Sequence, residues 1–110
     1  MVYKIIELLN ALQLCAVYSG NAPKNAAVPY IVVNKYSEGY QKGDDRIDEV
    51  TDYIQVDYYT KSIYDENKDV IRGGLDDTGA EITYSKMYES DERLYHHIFD
   101  IRVGGTQYPL

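Results

Sequence analysis

Two adjacent histidines, His96 and His97, are the residues best suited to acid–base or metal chemistry. They sit in RLYHHIFDIRV, residues 93–103, which alternates as a strand does. Neighbours on a strand point to opposite faces, so the two imidazoles cannot share one metal ion without a distorted backbone. No cysteine lies beside them and no HExxH pattern is present. The expectation is a packed His97, an exposed His96 and no metal. Asp44, Asp45, Asp48 and Glu49 form an acidic cluster, but it lacks the alternating ligands and central glycine of a calcium loop. It reads as a solvated loop. Gly73-Gly74 and Gly104-Gly105 make no phosphate loop, because neither GxGxxG nor GKS/T occurs. Gly74 falls on the apolar face of a predicted helix, where a missing side chain allows close approach to the sheet. Cys15 has no catalytic motif around it and is expected as a small core residue. No Ser, His and Asp spacing recommends a triad. No catalytic residue, cofactor or metal is therefore expected, and the chain is read as a non-enzyme.

The elements that would position these residues centre on RIDEVTDYIQVDYYTKSIYDENKDVIRGGLDDT, residues 46–78. Val50, Ile54, Val56 and Tyr58 alternate with Glu49, Thr51, Gln55 and Asp57, a period of two that predicts a strand. Asp52 and Tyr53 break the two faces, which predicts a bulge or an exposed strand end there. Ile63, Val70, Ile71 and Leu75 then fall on one helical face. Ser62 with Asp65 has the form of an N-terminal cap, and Gly79 suits the left-handed stop. Upstream, Ile5, Leu8, Leu9 and Leu12 predict a helix over about 2–13. Residues 14–18 predict a short strand and 30–36 a central one. Residues 37–45, SEGYQKGDD, are polar with two glycines and are expected as a long hairpin connection or a mobile arm. Residues 80–88 and 93–103 predict a final hairpin. In its last strand Tyr95, His97, Phe99, Ile101 and Val103 share the inward face. Residues 104–110 are expected to be a loose tail.

The order is α-β-β-β-α-β-β, an α+β fold with one mixed sheet of four to five strands. Both helices are expected on its apolar face. At 110 residues this is one domain with one core. No apolar run approaches the roughly 20 residues of a membrane span, and the N-terminal stretch is amphipathic rather than a secretion signal. The single cysteine excludes an internal disulfide. A net charge of −7 argues against broad gripping of nucleic-acid phosphates. Thirteen tyrosines, with one Phe and no Trp, suit either half-buried strands or a protein interface.

The pieces LLNAL, NAPKNAAVPYIVV, YIQVDYYTKS, GGLDDTG and MYESDERLYHHIFDIRV occur in that order along nearly the whole chain. In this order and spacing the chain resembles the small tail-terminator, or tail-completion, proteins of long-tailed bacteriophages. The closing hairpin matches through Ser90-Asp91, Tyr95 and Arg102. The resemblance implies a structural virion protein at the head-proximal end of the tail. It implies a ring, usually of six subunits, that caps the tail tube and meets the major tail tube protein and the head–tail connector, while DNA passes through unbound. The acids Glu38, Asp44, Asp45 and Asp48 are then expected at the lumen or the connector-facing rim, where they would repel phosphates. Tyr40 is expected as an anchor for a partner pocket. Two other classes stay open: a small acidic module that mimics DNA or inhibits a host enzyme, and a small hydrolase for which no constellation is found.

Overall fold

The computed structural model describes residues 2–43 and 46–103, and of residues 37–43 and 46–50 it describes the backbone alone. Two helices and five strands run in the order α1 (Val2–Ala11), β1 (Ala16–Ser19), β2 (Tyr30–Gly43), β3 (Arg46–Thr60), α2 (Asn67–Asp76), β4 (Glu81–Glu89) and β5 (Leu94–Val103). The strands form one mixed sheet in the order β1-β2-β3-β5-β4. β1 runs parallel to β2, and the β2–β3, β3–β5 and β5–β4 pairs are antiparallel. This is the expected α+β fold, with all elements in the expected order.

The core lies between one sheet face and both helices. Ile5 and Leu9 of α1 and Ile71 and Leu75 of α2 pack in one buried cluster with Ile31, Val33, Ile54, Val56, Tyr58, Phe99, Ile101 and Val103. Register explains the cluster. Val33 faces Val56, which faces Phe99, and Ile54 faces Ile101, so the inward residues form rows across the strands. Of the inward face read from the sequence for β5, His97, Phe99, Ile101 and Val103 are buried and Tyr95 only partly so, while Leu94 and His96 of the opposite face are buried as well. A register shift falls between Lys35 and Ser37, opposite Tyr53 and Ile54, with Tyr36 as the extra residue. That is the irregularity expected near Asp52 and Tyr53, on the neighbouring strand.

Several boundaries differ from expectation. α2 begins at Asn67, not near Ser62. The backbone N–H of Ser62 donates to Thr60 Oγ1 at 3.2 Å, and Ser62 Oγ donates to the Tyr64 carbonyl at 3.1 Å, which fixes a turn. Asp65 then accepts from the Asn67 N–H at 2.8 Å. Ile63 is consequently outside the helix and 52% exposed, and Val70 is 44% exposed. Gly79 takes the expected left-handed conformation, φ +77°. Gly74 does mark a close approach, but to α1 rather than to the sheet. A Cβ there would meet Leu8 Cδ2 at 3.1 Å and Leu12 Cδ1 at 3.4 Å. α1 ends at Ala11, with Gln13 at φ +54°.

The largest difference concerns residues 37–45. Ser37–Gly43 form no connecting loop; they continue β2 and pair with Arg46–Tyr53. Cross-strand hydrogen bonding holds a polar ribbon in extended form without any apolar alternation in its sequence. Asp44, Asp45 and the tail at 104–110 lie outside the described residues.

Candidate functional site

The sheet face opposite the helices carries a row of rings. Adjacent strands lie about 4.8 Å apart, so side chains paired across them rise side by side. Tyr30 and Tyr59 are such a pair, with centroids 4.9 Å apart. Tyr59 and His96 are the next, stacked at 4.2 Å. Tyr18 of β1 meets Tyr30 edge-on at 6.1 Å. The row thus crosses four strands.

His96 is therefore not exposed as expected; it retains only 8% of its surface. Its Nε2 lies 2.7 Å from Asp57 Oδ1 and its Nδ1 lies 3.2 Å from Glu89 Oε1. An imidazole can donate to two carboxylates only when both nitrogens carry protons. Burial alone would lower its affinity for a proton. The Asp57 hydrogen bond and the charges of Asp57 and Glu89 outweigh that and raise the His96 pKa above 6.5. Gln55 Nε2 completes the cluster, donating to Asp57 Oδ1 at 2.8 Å and to Oδ2 at 3.0 Å. One imidazolium thus ties β3, β5 and β4 together.

His97 points into the core, 1% exposed, between the rings of Tyr58 and Tyr84. Its Nδ1 is 2.7 Å from Tyr84 Oη, and its Nε2 has no hydrogen-bond partner among the described residues. Burial, followed by the charges of Lys68 and Lys86, lowers its pKa below 6.5. The two histidines thus act in opposite directions. His96 contributes stability that is complete below about pH 6.5 and fades as pH rises through its folded value. His97 must stay neutral, so stability is lost as pH falls below about 6.5, where the unfolded chain takes up the proton more readily. Replacing both members of the core pair, His97→Phe with Tyr84→Phe, removes the orphaned Nε2 together with Nδ1 and the Tyr84 hydroxyl that pairs with it. Such a swap is expected to be neutral or stabilising. Urea denaturation between pH 5 and 8 should show the loss below about pH 6.5 diminished and the alkaline-side fade retained. An unchanged acid-side loss would assign it to other groups.

Of the residues expected to make contacts, Asp44 and Asp45 lie outside the described residues, and only the backbone of Glu38, Tyr40 and Asp48 is described. Glu38 and Tyr40 lie in the distal part of β2, their backbones opposite Asp52 and Val50. Asp48 falls at the second register shift of the same hairpin. β1 pairs with β2 only over Tyr30–Val33, and β5 pairs with β3 only over Asp52–Thr60. Ser37 and Glu38 still face Tyr53 and Asp52, which β5 also pairs; beyond them, among the described residues, Gly39–Gly43 and Arg46–Thr51 pair only with each other, as a two-stranded ribbon. At about 3.3 Å per residue the ribbon reaches roughly 17 Å past the three-stranded part of the sheet, consistent with principal extents of 51 × 25 × 22 Å.

Cys15 is half-buried against the core, where burial raises its thiol pKa to about 11. That is the wrong direction for a nucleophile. Among the described residues no group of three or more His, Cys, Asp or Glu is arranged to hold a metal ion, and no helix is long and apolar enough to cross a membrane. No model of a known protein family matches the chain, and no curated protein matches it. The aromatic row and the Asp57–His96–Glu89 bridge escaped the sequence reading because they depend on β5 lying beside β3. The pairing of Asp57 with His96, 39 residues apart, leaves no local signal.

Proposed function

We propose that this protein is a non-catalytic structural subunit that assembles with copies of itself into a ring. The ring caps a phage tail tube and offers the surface to which the head connector joins. The observation that supports assembly is the ribbon of Gly39–Gly43 and Arg46–Thr51, whose outer edges no third strand covers among the described residues. An isolated two-stranded ribbon is marginal in water and gains most from a third strand or a packing surface. Uncovered strand edges are also templates for pairing with another chain. The tail-terminator reading itself comes from the order of sequence motifs along the chain.

Sedimentation velocity over a range of concentrations and salt, with and without tail tubes of the encoding phage, tests the reading. Subunits of net charge −7 repel, so association should strengthen as salt screens them. Rings seated on tube ends by electron microscopy are the expected result. A strict monomer that ignores tail tubes would overturn it, and nuclease inhibition by that monomer would favour the acidic-mimic alternative. Tyr40→Ala is expected to change unfolding free energy by no more than about 0.5 kcal/mol, while abolishing head joining in a complementation assay. Retention of full infectivity would remove Tyr40 from the interface.

A further inference from the structure

The helix-free face carries an open depression of about 390 Å³ beside the aromatic row, within the size range of small ligand sites. Val32 and Asp57 are paired across β2 and β3 and both are buried, so they lie at its inner side. Tyr30 and Tyr59 bound one end, Ala22 and Pro23 of the β1–β2 loop one wall, and Glu92 of the β4–β5 turn another part of the lining. The lining thus combines tyrosine, valine and proline surface with the polar groups of Asn21, Lys24 and Asn34, a buried carboxylate and an exposed one.

The Asp57 carboxylate is not saturated. His96 and the shorter arm of the Gln55 bond both go to Oδ1, leaving Oδ2 only the 3.0 Å contact with Gln55. A carboxylate offers about four acceptor positions. The charged groups around the depression are Asp57 of β3, Glu89 of β4, His96 of β5, Glu92 of the turn and Lys24 of the loop, with the Tyr30 and Tyr59 phenols between them. Three carboxylates against one imidazolium and one ammonium leave a negative charge over. The phenols register that field: burial first, and then the carboxylates including Glu89 and Glu92, push both to higher pKa.

We propose that this depression receives the side chain of an arginine from a partner protein. Asp57 and Glu92 both line the depression as acceptors for a guanidinium, and Val32 and Pro23 line it as surface for the aliphatic stem. Arginine suits the site better than lysine because its fork bridges two acceptors and is more weakly hydrated. The inference rests on the depression alone and is independent of ring formation.

The probe is N-acetyl-arginine amide, titrated into the whole chain and followed by NMR. Saturable shifts at Val32, Asp57 and Tyr59 are expected, together with a fall in the titration midpoint of His96 as a second cation arrives beside Asp57. A side chain with a purely structural role would not couple the midpoint of His96 to the probe. Glu92→Gln, at an exposed position, should weaken the affinity about two- to five-fold. The proposal is overturned if the neutral isostere N-acetyl-citrulline amide or the lysine analogue binds as well as the arginine probe. It is equally overturned if the shifts centre on the helices, or if inorganic phosphate occupies the depression through Lys24.

Discussion

Replacing Phe99 with alanine is expected to remove about 3–5 kcal/mol of stability, as truncation of a fully buried aromatic ring does. Phe99 is the only phenylalanine in the chain and is 1% exposed. It lies in β5 with Val56 opposite on β3 and Tyr84 opposite on β4, its ring 5.2 Å from that of Tyr84. The site has little means of collapse, because Val56 and Tyr84 are fixed in the two strands paired on either side of β5. A domain of this size shifts its melting temperature by roughly 4–8 °C for each kcal/mol, so the variant should melt well over 10 °C lower or fail to fold at 37 °C. Phe99→Leu should recover much of the loss. A drop below about 1 kcal/mol in Phe99→Ala would mean that the sheet and helices are less tightly packed than described.

Replacing Asp65 with alanine is expected to cost about 2–4 kcal/mol, because several donors lose one acceptor at once. Oδ2 accepts from Tyr58 Oη at 2.7 Å and from Thr60 Oγ1 at 2.6 Å, and Oδ1 accepts from the Asn67 N–H at 2.8 Å. Tyr58 is fully buried and its phenol has a pKa pushed up to about 12, chiefly by burial and then by the bond to Asp65. Partial burial opposes the charge on Asp65, but the bonds from Thr60, Tyr58 and Asn67 prevail and lower its pKa below 3.8. Its contribution is therefore complete above about pH 4 and is lost as pH falls through the lowered folded value. Denaturation of Asp65→Ala should show a flatter acid limb than the parent. The same acid limb in both would place the dependence on other carboxylates.

Those two side chains differ in how far the sequence reveals them. Phe99 stands in an unbroken alternation with His97, Ile101 and Val103, and that period alone places it inside. Ile54, Val56 and Tyr58 are legible for the same reason. Asp65 was visible only as part of a cap with Ser62. Its hydroxyl partners on β3 emerge once the chain has turned between Thr60 and Asn67, and that turn removes Ile63 from the helix. The ribbon was illegible for a different reason. Ser37–Gly43 owe their extended form to backbone pairing with the opposite strand, and two glycines and polar side chains give no sign of it. Likewise, nothing near His96 predicts Asp57 as its neighbour, because strand order is a property of the whole sheet.

The position of β5 between β3 and β4 has a consequence for synthesis. The final described strand is an interior one, hydrogen-bonded on both edges. While the ribosome is still adding residues 94–103, β4 has no sheet neighbour and the core lacks Phe99, Ile101 and Val103. Completion of the fold waits for the last of these residues to emerge. Until then the inner edge of β3 is open to other chains, the condition under which nascent proteins aggregate or engage chaperones. Stalled or prematurely terminated translation products should therefore be far more aggregation-prone than their small loss of length suggests.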